Sequence, residues 1–114
     1  MTNETGDMPE AAALERAAEW RMRKVDADPS DQASLRAARQ MEKLAAELRV
    51  LRGSKLHLEY VAIQNWLSES DDVSELAMRV EYFHQKLGFG VWAEDGEGYL
   101  RALIEMARET AGMG

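Results

Sequence analysis

No cysteine occurs among the 114 residues. That excludes a disulfide framework, a thiol nucleophile, a zinc ribbon and any cysteine-ligated cluster. Proline is nearly absent too: Pro9 and Pro29 are the only two, so no proline interrupts helix beyond residue 29. No apolar run approaches the roughly 18–20 residues that a membrane span needs. Residues 1–7 are polar and acidic, with neither the basic nor the apolar stretch of a secretory signal. They are expected to form a disordered tail, and a cytoplasmic location is expected for the chain. The two histidines, His57 and His84, stand outside any ligand-rich spacing, so neither a metal nor a cofactor is expected.

What is present favours helix. Leu, Ala, Glu, Arg and Met dominate, all good helix formers. Hydrophobic residues make up 46% and charged residues 31%, the balance of a globular rather than a disordered chain. The length suits one domain, placed at residues 8–112. The first helix begins near Asp7-Met-Pro-Glu10, with Asp7 as cap and Pro9 in the first turn. Its apolar stripe runs through Ala11, Leu14, Ala18, Met22 and Val25, and Pro29 ends it. Asp28 and Pro29 are expected to cap and open a second helix over about 30–52. Its Ala37, Met41, Leu44, Leu48 and Leu51 form a heptad-like seam, and Gly53 stops it.

Together these two segments read as an antiparallel helical hairpin. Ser54 caps a third helix with Leu56, Tyr60, Ile63 and Leu67 on one face, although Leu56-His-Leu-Glu-Tyr60 also alternates like a strand. Asp72 and Glu75 form a capping box for a fourth helix, which carries Val73, Leu76, Ala77, Val80, Phe83 and Leu87 inward. A fifth covers about 97–111, with Leu100, Leu103, Ile104 and Ala107 inward. Residues 88–98 hold four of the eight glycines. They form a loop, or a short β-hairpin near 89–100 turning at Asp95-Gly96. The expected architecture is all-α, a compact bundle of about five helices.

Charge divides the chain. Residues 16–55 carry ten Lys/Arg against six acids, a balance of +4, whereas residues 56–114 carry four against eleven, a balance of −7. The halves either face each other or choose different partners. Motifs for chemistry fail on inspection. With Gly96 set on the invariant glycine of an EF-hand, Val91, Ala93 and Ala102 fall where carboxylates belong. No Gly-Lys-Ser/Thr follows the Gly-x-Gly pairs. No Asp or Glu stands alone in an apolar run where burial would tune it for catalysis.

Contact residues are better marked. Trp20 lies opposite the stripe of the first helix, beside Ala13, Ala17, Arg16, Arg23 and Lys24. Trp and Arg so placed are the residue types of interface anchors; alternatively a later helix, such as the fifth, covers Trp20. Phe89, Val91 and Trp92 either plug one end of the bundle or form a lip that grips a partner. Arg36, Arg39 and Lys43 are the cations that a nucleic-acid reading would use.

Ala17-Ala-Glu-Trp20 followed by Arg23, Asp28 and Ser30 is similar to the start of the short helical module preceding FecR-type sigma regulators. Trp66-Leu-Ser-Glu-Ser70 resembles that module's later Trp-Leu segment. In the module the two pieces lie much closer together, and nothing is carried over from it here. The sequence therefore points to a small acidic helical adaptor, protein-binding or regulatory, that contacts another protein or itself as a homo-oligomer. A nucleic-acid-binding protein using the basic hairpin 16–55 is the alternative, and a small helical enzyme the third.

Overall fold

The computed structural model describes residues 8–87 and 93–113. Among these the chain forms five α-helices and no strand: α1 Pro9–Ala27, α2 Gln32–Val50, α3 Lys55–Glu69, α4 Val73–Lys86 and α5 Gly96–Thr110. None of them is long and apolar enough to cross a membrane. The tail 1–7 and the segment 88–92, with Phe89, Val91 and Trp92, lie outside the described residues.

The helix boundaries follow from capping chemistry, with three departures from expectation. The residue at the N-cap of α1 is the buried Met8, and no side chain among the described residues caps it; the expected cap, Asp7, lies outside them. Pro9 then opens the helix, where its missing N–H costs nothing. α2 opens at Gln32, and its cap lies three residues beyond the expected Asp28. Asp28 instead accepts from the Ser30 amide and hydroxyl at 3.2 and 2.7 Å, which closes the turn. Asp31 is the true cap, accepting from the Ser34 amide at 3.0 Å and its hydroxyl at 2.7 Å. These bonds hold the Asp31 carboxyl below its ordinary pKa, the Ser34 amide first. Asp72 does precede α4, but its side chain makes no capping bond.

Ser54 caps α3 as its position implied, accepting from the His57 amide at 3.1 Å. Residues 56–63 are helical throughout, since Tyr60, Ile63 and Leu67 at helical spacing all enter the core. The hairpin near 89–100 is not formed where it can be seen. Asp95 is the cap of α5, accepting from the Gly98 amide at 2.7 Å, and Gly96 is the first helical residue rather than the corner of a turn.

α1 and α2 form the antiparallel hairpin, tied near its open end by Arg49 and Glu15 at 2.6 Å. The seam of α2 is fully enclosed, with Ala37, Met41, Leu44 and Leu48 at most 1% exposed. α5 is the central element and packs against α2, α3 and α4. Its first residue sits directly on α2. A Cβ at Gly96 would lie 2.7 Å from Glu47 Cβ and 2.9 Å from the Glu47 carbonyl carbon, so only glycine permits this approach. The Gly96 amide donates to Glu47 Oε1 at 2.7 Å, which satisfies one unpaired N–H and sets a carboxylate at the positive end of α5. Lys43 Nζ to the Glu94 carbonyl at 2.6 Å, and Gln40 to the Ala93 carbonyl, fasten the same junction.

The outcome is uneven. α1 packs on α2 and makes only sparse contact with the other helices. α4 buries Leu76 alone among its fourteen residues. The apolar stripe expected of α4 is therefore only half covered, with Val73, Val80 and Phe83 partly buried and Ala77 exposed.

Candidate functional site, a cleft between α1 and α4

Because α1 leans on α2 and α4 leans on α5, a cleft opens between α1 and α4. It holds a groove of about 860 Å³. Four residues singled out from the sequence, Arg16, Trp20, Arg23 and Lys24, line it together with Arg21 of α1 and Glu81, His84 and Gln85 of α4. Trp20 is 49% exposed, so α5 does not cover it. The Lys24 ammonium stands 4.4 Å from the centre of its ring and the Arg21 guanidinium 5.7 Å away. Each is an attraction of about 0.5–1 kcal/mol at an exposed site, enough to bias the orientation of the indole.

Arg21 was missed by sequence reasoning. It is 8% exposed and donates from Nη2 to the Gln85 carbonyl at 2.8 Å, joining α1 to the last turn of α4. Burial lowers its pKa from the ordinary value, and the charge of Asp31 opposes that shift. The signal was present: position 21 follows Leu14 and Ala18 at the spacing of a core residue, where an arginine is out of place unless it has a partner.

Beside the groove lies a second open hollow of about 280 Å³ between α1, α3 and α4, which shares Ala13, Glu81 and His84 with it. Glu10, Tyr60, Gln64, Glu81 and His84 supply its polar lining, and Val73, Leu76 and Val80 its apolar lining. His84 meets the fully buried Tyr99 hydroxyl through Nε2 at 2.7 Å, and its ring lies 6.0 Å from that of Tyr99. Burial pushes His84 down to about 4 and Tyr99 well above the ordinary phenol value, so both are neutral at pH 7. Burial raises Tyr60 as well, with Glu10 adding to the effect. Glu10 Oε1 is itself buried and has no hydrogen-bond partner among the described residues. No proximity in sequence announces this cluster, since its members come from four helices.

Arg36, Arg39 and Lys43 are also brought together, in a separate shallow depression of about 570 Å³ on α2 with Gln32, Leu35 and Gln40. Among the described residues no aromatic side chain lines it. Among the described residues no group of three or more His, Asp or Glu side chains is placed to hold a metal ion. The fold defines an all-α helical bundle. No family model matches the chain, and no curated protein or solved structure proves similar to it.

Proposed function

We propose that this protein is a binding adaptor that receives an acidic segment of a partner protein in the cleft between α1 and α4. The observation that carries this reading is the half-exposed Trp20, set among Arg16, Arg21, Arg23 and Lys24 on the wall of an open groove. An indole held by cations offers a large, rigid contact area at small entropic cost, and guanidinium groups recognise carboxylates with two parallel bonds. Glu81 is the lone acid among the described residues that line the groove, so an acidic partner meets net attraction there. The adjoining hollow gives one hydrogen-bond-donating side chain of that segment a place to enter, facing Glu10 Oε1.

The test compares immobilised wild-type protein with Trp20→Ala in a nuclease-treated extract of the native cells. The expected partner is retained by the wild type, lost with Trp20→Ala, and released by salt. An identical set of proteins on both columns refutes the reading.

A nucleic-acid role has one observation in its favour, the clustering of Arg36, Arg39 and Lys43 in a single depression. It would rest on phosphate contact alone, without bases stacking on aromatic rings. Fluorescence anisotropy with single-stranded and duplex probes decides it. Salt-sensitive binding that is lost when all three cations become Glu would replace the adaptor reading.

A further inference from the structure

α4 presents three faces. Leu76 and Leu87 turn to the core, and Ala77, Val80, Glu81 and His84 border the cleft. The third face carries Glu75, Met78, Arg79, Tyr82 and Lys86. These residues recur at three- and four-residue intervals like the seam of a helix pair. Among the described residues no other helix lies over it: Met78 is 71% and Tyr82 61% exposed. With Phe83 of α4 and Ala102 and Met106 of α5 they border a shallow, mostly apolar groove of about 870 Å³. A face so apolar at its centre gains from being covered.

We propose that a second copy of this chain covers it, with α4 docked antiparallel on α4 about a two-fold axis. The charges select that occupant. Glu75 and Glu105 stand on the groove with Arg79 and Lys86, two acids and two cations, so a partner of one sign would meet repulsion from half of them. A copy of the same face does not, because a two-fold contact is self-complementary. With the axis at the level of residues 80 and 81, Glu75 faces Lys86 of the second copy. Arg79 then faces its Tyr82, and Met78 faces its Phe83, each pair occurring twice.

The existing contacts suit that register. Lys86 Nζ already lies 5.0 Å from the centre of the Tyr82 ring, and Arg79 bonds Glu75 at 3.1 Å and Glu109 at 3.3 Å. Docking extends both into a network across the axis. The face of one helix with its α5 flank is at the small end of specific interfaces, so the dimer is weak and depends on concentration.

Sedimentation velocity over a concentration series tests this, with circular dichroism of each variant to confirm folding. The expected result is a monomer–dimer equilibrium that Tyr82→Glu, or Met78→Ser as a second probe, weakens by about ten-fold or more. Glu75→Lys alone and Lys86→Glu alone each weaken it on the order of ten-fold, because like charges then meet twice. The two together restore it to within about three-fold. Trp20→Ala leaves the equilibrium unchanged, which separates this interface from the cleft. A monomer at every concentration, a dimer indifferent to Tyr82→Glu, or charge reversals that fail to rescue one another would overturn the proposal.

Discussion

The junction of α2 and α5 gives the sharpest expectation, because two glycines two positions apart should respond with opposite signs. An added methyl at Gly96 arrives 2.7 Å from Glu47 Cβ, 2.9 Å from the Glu47 carbonyl carbon and 3.0 Å from the Leu48 amide nitrogen. The backbone atoms cannot rotate aside, so α5 must retreat by several tenths of an ångström. Overpacking of this kind costs about 1–3 kcal/mol. The retreat also stretches the Gly96–Glu47 hydrogen bond, a charge-assisted contact worth about 1.5–3 kcal/mol. Replacing glycine by alanine in a helix returns at most about 1 kcal/mol, and less at the first position. The net loss for Gly96→Ala is therefore about 2–4 kcal/mol, which lowers the melting temperature of a domain this size by roughly 10 °C or more.

At Gly98 the added methyl meets only Asp95 Oδ1, the end of a side chain, at 3.2 Å. Gly98→Ala is expected within about 1 kcal/mol of wild type and on the stabilising side. Denaturant unfolding of the two variants side by side measures both, with the slope checked for two-state behaviour. Equal midpoints for Gly96→Ala and Gly98→Ala would refute the close approach of α5 to α2.

The other expectations are more direct. Leu44→Asp or Leu48→Asp places an unpaired charge in a fully enclosed seam, a cost comparable to the whole stability of a small domain; far-ultraviolet circular dichroism should show an unfolded chain. Trp20→Ala should shift the unfolding midpoint by well under the roughly 3–5 kcal/mol of a buried aromatic, while weakening partner binding by about 2 kcal/mol or more.

His84 binds no proton in the folded state until about pH 4, whereas the unfolded chain takes one up near 6.5. The stability that it contributes is complete above pH 6.5 and is lost as the pH falls towards 4, amounting to about 3 kcal/mol over the window. His84→Gln should flatten the pH dependence of the unfolding midpoint between 6.5 and 5, and an unchanged slope there would contradict the burial of His84.

How much of this was legible beforehand differs from element to element. The five helices were, because leucine and alanine spacing reports the buried face directly and Ser54 and Gly53 mark ends by local chemistry. The cap of α2 was misplaced because Asp28 and Asp31 are chemically equivalent in sequence, and only the position of Ser34 decides between them. Asp95-Gly96 reads as a hairpin corner for a similar reason. An aspartate before a glycine serves a tight turn and a helix cap alike, and contact with α2 selects the cap. At the site, the wheel position set Trp20 beside Arg16, Arg23 and Lys24, but left open whether a later helix covers it, because that depends on where the other helices pack. Arg21, Glu10 and the His84–Tyr99 pair were not visible as a group, since their meeting depends on how α1, α3, α4 and α5 are placed.

The way α1 is held has a consequence for how the cleft works. α1 is carried by α2, and α2 packs along α5, most closely where Gly96 seats on Glu47 and Leu48. Apart from that route, α1 is joined to α4 by the Arg21–Gln85 bond. A shift of α2 on α5 at Gly96 would change the width of the cleft at Trp20, so under the proposed function a glycine that never touches the partner would tune its affinity.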